Sequence, residues 1–173
     1  MKKILLLFYL LFKSIQATNA QQVTYRLFMD KPHDHYFNVE MQVDNYSGNT
    51  VDIKMPVWAP GSYLIREFSK NIDFVKAYDA SKEIPVKKIN KNTWRINSNG
   101  AKKILIKYSV YAYELSVRTS FLDDMHGYVN GTSVFMYING KKNIPGKLEI
   151  TPYKKWSKIS TSLDRLAPNT YYF

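Results

Sequence analysis

The sequence contains no cysteine, which excludes disulfide bonds, thiol nucleophiles and zinc sites built from cysteine ligands. It has only three histidines, His33, His35 and His126. None of them belongs to a His-Glu-x-x-His motif, which places two zinc ligands and a general base on one helix of many metallopeptidases. The seven glycines are scattered, so there is neither a phosphate-binding glycine loop nor a Gly-x-Ser-x-Gly nucleophile turn. The common motifs of hydrolases and nucleotide-binding proteins are therefore missing from this chain.

Long hydrophobic runs are also scarce, and the only marked one lies at the amino terminus. Residues 4–12 are apolar, Lys2 and Lys3 precede them, and a stretch of small and polar residues ends at Ala20. Nine apolar residues are too few to cross a bilayer, which requires about 20. The pattern is typical of a secretory signal peptide. We therefore predict a signal peptide over 1–20, a mature chain over 21–173 without a membrane span, and export to the periplasm or the extracellular space.

Acidic residues are outnumbered by basic ones, 14 to 25, which gives a formal net charge of +11. Such a balance can indicate a nucleic-acid partner. The lysines, however, are spread along the chain and mostly alternate with apolar residues, as Lys103 and Lys107 do. This distribution is typical of the solvated faces of strands, so we predict no nucleic-acid partner.

The dominant hydrophobic period is two, which predicts half-buried β-strands. Candidate strands occupy 23–29, 37–43, 51–55, 72–78, 93–97, 104–110, 116–121, 133–138, 147–151 and 157–161. Turn signals such as Asn139-Gly140 separate several of them. Residues 63–70 differ, because they contain good helix formers after Pro60-Gly61. We predict an all-β domain, either an antiparallel β-sandwich or a saddle-like sheet, with one short helix near 63–70.

The histidines offer little chemistry on their own. His33 and His35 would share one face of a strand, but two ligands do not make a zinc site. His126 follows Asp123 and Asp124 and could be a base with a carboxylate partner. A polar loop explains the same residues more simply.

Two segments contain more aromatic and charged residues than a simple scaffold requires. In 55–68, Pro56 and Pro60 stiffen the chain around Trp58, which either presents an aromatic ring to a partner or plugs the core. In 110–121, Arg118 would lie among apolar residues if this segment were a central strand. A buried arginine needs a carboxylate, and Glu67 and Glu114 are the candidates.

These segments resemble the amino-terminal region of the PDZ-bearing glycyl aminopeptidases, family sixty-one of the metallopeptidases. The resemblance rests on four segments in order, 55–68, 91–94, 110–119 and 130–135, and extends over about 23–165. It implies an amino-terminal β domain similar to that of the gluzincin aminopeptidases. A catalytic domain with the zinc ligands, and then a PDZ domain, would follow in a complete family member.

The resemblance also implies what this chain does. We expect 21–173 to be the non-catalytic amino-terminal domain of a secreted zinc aminopeptidase, with the chain ending before the catalytic and PDZ domains. No position of this sequence matches a zinc ligand of the family, so we expect no cofactor here and zinc in the catalytic domain. That domain is the expected partner, and peptide substrate would be met only through it. The residues expected to pack on it and to wall its substrate cleft are Trp58, Arg66, Tyr113, Arg118 and Asn130.

Two other functions remain open from sequence. One is a free-standing secreted module that binds carbohydrate or peptide with Trp58, Trp94 and Trp156 as stacking platforms. The other is a small enzyme that uses His126 with Asp123 or Asp124.

Overall fold

A computed structural model describes residues 21–173 of the chain. The predicted signal peptide, 1–20, lies outside these described residues. No helix in the described part is both long and apolar enough to span a membrane. The strands are β1 (Gln22–Phe28), β2 (Tyr36–Asp44), β3 (Thr50–Lys54), β4 (Ile72–Asp79), β5 (Lys82–Ile84), β6 (Val86–Asn90), β7 (Thr93–Asn97), β8 (Lys103–Tyr111), β9 (Phe121–Leu122), β10 (Gly127–Tyr128), β11 (Tyr137–Ile138), β12 (Gly146–Thr151), β13 (Asp164–Ala167) and β14 (Thr170–Tyr172). One α-helical turn, α1, spans Gly131–Val134, and 3-10 turns occupy Pro32–Asp34 and Phe68–Asn71.

The strands form a large sheet, a small sheet and a short hairpin. The large sheet has the order β13-β14-β12-β1-β2-β8-β4-β5, and the small sheet has the order β11-β3-β7-β6. The hairpin pairs β9 with β10. Neighbouring strands are antiparallel except β1 and β12, which run parallel and so join the beginning of the domain to its end. The prediction of an all-β, mainly antiparallel fold is confirmed.

The core lies between the large and small sheets because alternate side chains of both point inward. Phe37, Val39 and Met41 of β2 are almost fully buried, as are Ile53 of β3 and Ile96 of β7. These residues belong to one continuous hydrophobic cluster. The alternation along strands such as β2 and β3 accounts for this, since a one-residue shift in register would move the whole apolar set into solvent.

Two buried tyrosines of the large sheet hold the chain segment that leads into the small sheet. Tyr108 donates its hydroxyl hydrogen to the Val134 carbonyl at 3.1 Å and accepts the Met136 N–H at 3.0 Å. Tyr25 donates to the Met136 carbonyl. Burial raises the pKa of both phenols well above the usual range, so both stay protonated and can donate. Backbone groups of an irregular segment that water cannot reach are thereby satisfied.

The opposite face of the large sheet is polar and carries a row of alternating charges. Glu149, Arg26, Glu40 and Lys107 lie opposite one another on β12, β1, β2 and β8. Their charged atoms are separated by 2.9, 3.6 and 2.7 Å in that order. Opposite charges across neighbouring strands stabilise the pairing modestly, so this face is suited to solvent.

Most of the predicted strands are confirmed, three are wrong over most of their length, and the short helix predicted near 63–70 is present as a 3-10 turn. Residues 63–67 form an irregular loop, and the only helical turn nearby is Phe68–Asn71. In 116–121 only Phe121 belongs to a strand, and 157–161 are irregular. In 133–138 the chain first makes α1 and pairs only at Tyr137–Ile138. In these stretches the backbone is satisfied or solvated locally, and only Phe121, Tyr137 and Ile138 join a sheet ladder.

We expect Tyr108→Phe to lower the free energy of unfolding by about 2–4 kcal/mol, since it leaves one buried carbonyl and one buried N–H without partners. The matched control is Tyr171→Phe. Tyr171 is also buried, but its hydroxyl has no hydrogen-bond partner in the described residues, so we expect a change within about 0.5 kcal/mol. Urea unfolding monitored by circular dichroism measures both. Equal effects of the two variants would contradict the role given to the Tyr108 hydroxyl.

Candidate docking surface at the loop end

Several loops gather at one end of the large sheet, called here the loop end. Strands β1, β8 and β12 finish at this edge, and β2 and β4 start there, as the partners Phe28 with Thr151 and Ile72 with Val110 show. The segments that leave or enter this edge are 29–35, 55–67, 112–120 and 152–163, and the 123–130 loop, which contains the short strand β10, packs beside them through His126 and Phe121.

The loop end exposes most of the large apolar side chains that the described residues leave in solvent. They are Val57, Trp58, Tyr63, Leu64, Ile65, Tyr111, Tyr113, Leu115, Val117, Met125 and Tyr128. Scattered exposed apolar residues are normal, but a concentration on one side of a domain indicates an interaction site.

The 55–67 loop is held by hydrogen bonds within itself. Arg66 donates its backbone N–H to the Val57 carbonyl at 2.5 Å. Trp58 donates its indole N–H to the Ser62 carbonyl at 2.6 Å, and the buried Ser62 hydroxyl accepts the Arg66 Nε–H at 3.2 Å. Trp58 is 52% exposed and Tyr63 is fully exposed. The loop is thus a stiff support that presents aromatic and aliphatic side chains to solvent.

The 112–120 loop is folded back on itself and tied to α1. Thr119 donates its hydroxyl hydrogen to the Glu114 carbonyl at 2.6 Å. Asn130 caps α1, because its side-chain oxygen accepts from the Thr132 N–H at 3.2 Å, while its amide group donates to the Val117 carbonyl at 3.2 Å. Leu115 and Val117, both more than 70% exposed, are therefore held outward by a hydrogen-bonded frame.

A row of stacked rings crosses the loop end. His35 lies 3.8 Å from Tyr113, Tyr113 lies 5.2 Å from Phe121, and Phe121 lies 5.2 Å from His126, measured between ring centroids. The Nδ1 atom of His35 lies 2.6 Å from the Leu122 carbonyl, which can only accept, so Nδ1 carries the hydrogen. The stack connects loops 29–35, 112–120 and 123–130 and fixes their relative positions.

Asp123 shapes the loop that carries His126. Its carboxylate accepts the Met125 N–H at 2.8 Å and the His126 N–H at 2.9 Å. These backbone hydrogen bonds, that of His126 above all, lower the pKa of the Asp123 carboxyl below its usual range. The imidazole of His126 lies 3.4 Å from the same carboxylate. The polar-loop interpretation of 123–126 therefore explains the contacts of these residues.

The five residues expected from sequence to contact the catalytic domain all lie in loops of this end. Trp58 and Arg66 are in the 55–67 loop, Tyr113 and Arg118 are in the 112–120 loop, and Asn130 precedes α1. Trp58, Tyr113 and Arg118 are exposed, and Arg66 and Asn130 are half-buried. Whether these residues contact another domain remains a prediction.

The expected buried ion pair of Arg118 is wrong. Arg118 is exposed and makes no ion pair within 21–173, because β8 ends at Tyr111 and the chain leaves the sheet before reaching it. Glu67 pairs with Lys91 at 2.9 Å, and Glu114 is exposed.

Sequence reasoning missed the ring stack and the exposed pair Leu115 and Val117. His35 and Tyr113 are distant in sequence, so no local pattern signals their contact. Leu115 and Val117 alternate as a strand would, and only the side-chain hydrogen bonds of Ser116 and Thr119 show that they lie in a loop.

The described residues do not fit a zinc ion. No group of three His, Cys, Asp or Glu side chains within 21–173 converges as metal ligands would.

Comparisons with known proteins agree with the fold. Residues 24–173 match the family model described as the peptidase M61 N-terminal domain. The structure is similar to the crystal structure of an aminopeptidase N family protein from Idiomarina loihiensis, with 30% sequence identity and a TM-score of 0.80. That match covers 87% of this chain and 27% of the other, so the chain spans about a quarter of the relative's length.

An M1 zinc metallopeptidase from Deinococcus radiodurans is more distant, with 10% identity and a TM-score of 0.46, over 90% of this chain and 38% of the other. No curated protein matches the chain.

We expect Asn130→Ala to destabilise the domain by about 1 kcal/mol, through loss of the helix cap, and to speed hydrogen exchange in the 112–120 loop. Asn130→Asp keeps the capping oxygen but loses the donor to Val117. We expect it to keep most of the stability and still loosen the loop. Urea unfolding and hydrogen-exchange mass spectrometry separate the two effects. Unchanged exchange in 112–120 for both variants would contradict the link between Asn130 and that loop.

We expect acid to loosen the 123–126 loop. Because the folded-state pKa of Asp123 is lowered, its stabilising effect is complete above about pH 4, the usual pKa of an aspartate, and is lost as the pH falls through the lower, folded-state value. Amide exchange at Met125 and His126, followed by NMR with correction for intrinsic rates, measures this change. Asp123→Asn removes the titration and serves as the control. A loop that loosens equally with acid in that variant would contradict the assignment.

Proposed function

Because this chain belongs to the peptidase M61 N-terminal domain family, we propose that it is the non-catalytic amino-terminal domain of an exported zinc aminopeptidase. In this proposal the loop end packs on a catalytic domain and helps to wall its substrate cleft. The zinc ligands and the catalytic base belong to that catalytic domain, in agreement with the absence of a His-Glu-x-x-His motif from this sequence.

The observation that carries the proposal is the concentration of exposed apolar side chains at the loop end. Trp58, Tyr63, Leu64, Leu115 and Val117 are each more than half exposed. Covering such side chains is the main favourable term in protein association. The charged outer face of the large sheet offers no comparable apolar area, so the loop end is the side that best suits a partner.

The stiffness of the loops also favours the loop end as the docking surface. Ordering flexible loops on binding costs free energy that a preorganised surface avoids. The hydrogen bonds of Trp58 and Ser62, the cap made by Asn130 and the ring stack hold the apolar side chains in place before any partner arrives. Trp, Tyr and Arg are also the residue types enriched among energetically important interface positions.

Export is proposed from the sequence alone. Residues 1–20 have the basic start, short apolar run and small-residue end of a secretory signal, so we place the mature chain in the periplasm or the extracellular space.

The alternative of a carbohydrate-binding module with three tryptophan platforms is not favoured. Trp94 is buried, with the Lys88 ammonium 4.8 Å from its ring centroid, and Trp156 is half-buried. The three rings therefore do not form the exposed row that stacking on a sugar chain requires.

The proposal is tested with the catalytic domain of an M61 peptidase produced as a separate chain. We expect residues 21–173 to bind it and the double variant Leu115→Asp with Val117→Asp to weaken binding at least tenfold, because two charges replace apolar contacts at the docking surface. Calorimetry measures the affinity, and hydrolysis of glycyl and alanyl substrates with zinc present measures the activity of the mixture.

The matched control is Leu166→Asp. Leu166 is also exposed, but it lies on β13, five strands from β8 and so about 24 Å away across the sheet. Equal loss of binding in both variants, or no binding of the unmodified chain, would contradict docking through the loop end. Zinc-dependent turnover by residues 21–173 alone, abolished by His126→Ala, would contradict the non-catalytic assignment.

A further inference from the structure

A groove lies beside the loop end, between the core face of the large sheet and the irregular segment 152–163, called here the strap. Its volume is about 1290 Å³. Its apolar lining includes Tyr25, Leu27 and Leu148 of the large sheet, which are buried, and Phe135 and Ile150, which are half-buried. The strap contributes Trp156, Ile159 and Leu163, which are half-buried against the core.

Near its amino-terminal end, the strap is held to the 123–130 loop through the side chain of Trp156. Trp156 donates its indole N–H to the Asp124 carbonyl at 3.3 Å. A Cβ atom on Gly127 would lie 3.3 Å from both the Trp156 ring and Leu122, so glycine allows this close approach. The strap and the 123–130 loop therefore form one continuous wall of the groove.

The charge of the groove has one sign. Lys142, Lys155 and Lys158 line it together with His126, and no Asp or Glu is among its lining residues. None of the three lysines makes an ion pair within the described part of the chain. Lys142 and Lys155 lie only near tyrosine rings, at 5.5 and 5.9 Å from the centroids. A carboxylate in the groove would therefore find lysines that have no acidic partner among the described residues.

The backbone of the strap is also unpaired. Among residues 21–173, strap positions 157–162 make no hydrogen bond from backbone to backbone, and four of the six carry hydroxyl groups. Free N–H and C=O groups beside an apolar trough are what an extended peptide uses when it adds a strand to a protein. A pocket for a drug-sized molecule has about 300–1,000 Å³, so the larger volume here suits a chain segment better.

We propose that the strap groove binds an extended apolar peptide that carries a carboxylate. The apolar side chains lie against Phe135, Ile150 and Trp156, which are half-buried, the peptide backbone pairs with the strap, and the carboxylate lies near Lys155 and Lys158. The groove shares Val57, Trp58, Met125 and Tyr128 with the loop end, but Leu115 and Val117, the residues that test the docking, are not among its lining residues, so the two proposals are tested separately.

The test uses the chain 21–173 and an N-acetylated hexapeptide of alternating valine and leucine that ends in glutamate with a free carboxyl group. We expect a dissociation constant below about 1 mM by calorimetry, with a change in tryptophan fluorescence because Trp58 and Trp156 line the groove. Raising the salt concentration from about 50 to 500 mM weakens binding, since exposed charge pairs are screened.

Two variants locate the site. Lys155→Gln with Lys158→Gln weakens binding about tenfold through loss of two exposed charge contacts. Lys102→Gln with Lys103→Gln makes the same charge change at the opposite end of β8, outside the groove, and leaves the affinity within about twofold. Both pairs are on the surface, so both variants are expected to fold.

A second peptide tests the chemistry. The same hexapeptide ending in glutamine amide has no carboxylate and binds about tenfold more weakly. Equal affinity for the two peptides, equal effects of the two lysine pairs, or no binding would overturn the proposal. Binding of dodecanoate without binding of the peptide would assign the groove to a lipid chain, and self-association lost in the Lys155 and Lys158 variant would assign it to a second copy. Either result would overturn it as well.

Discussion

The rest of the structure depends on the hydrogen bonds that two buried tyrosines make to the segment between α1 and β11. Tyr25 and Tyr108 lie on different strands of the large sheet, and their hydroxyls bind backbone groups of Val134 and Met136. An irregular segment can cross a core only if its polar backbone groups are satisfied there. This anchorage fixes the carboxyl end of α1. It thereby places the Asn130 cap, the 112–120 loop that Asn130 holds, and the Phe135 wall of the groove.

The distribution of charge then decides which surfaces remain for partners. The outer face of the large sheet pairs Arg26 with Glu149 and Glu40, and Glu40 with Lys107, so its charges are already matched. At the strap the lysines have no acidic partners in the described residues, and at the loop end the exposed side chains are apolar. Matched charges favour solvent, whereas unmatched cations and uncovered apolar groups favour a ligand or another domain.

The sequence predicted the strands of the core well because burial imposes a strict alternation that survives in the order of residues. In β2 and β8, inward residues such as Phe37 and Ile106 alternate with polar ones, with Leu105 as the exception, and the structure confirms both strands. The same reasoning failed at 116–121, where the hydroxyls of Ser116 and Thr119 bind one another and the Glu114 carbonyl. Such local bonds compete with a sheet ladder without changing the hydrophobic period. The predicted buried ion pair of Arg118 depended on that strand, so the wrong strand prediction also made the ion-pair prediction wrong.

The five predicted contact residues nevertheless fall at one end of the sheet, because the segments that resemble the family lie in loops that leave or enter the same sheet edge.

The loop end and the strap groove share a wall, and this has a thermodynamic consequence. The 123–130 loop carries Met125 and Tyr128 to the exposed surface, and it also lines the groove with His126 and Gly127. The Trp156 indole binds its backbone at Asp124, so a displacement of this loop moves the strap as well. A partner that shifts the loop on docking changes the free energy of binding a peptide in the groove. By linkage the peptide changes the free energy of docking by the same amount. A partner that leaves the loop in place does not change the affinity of the groove for the peptide, however tightly that partner binds. Only a difference in affinity between two arrangements of the loop can shift their populations.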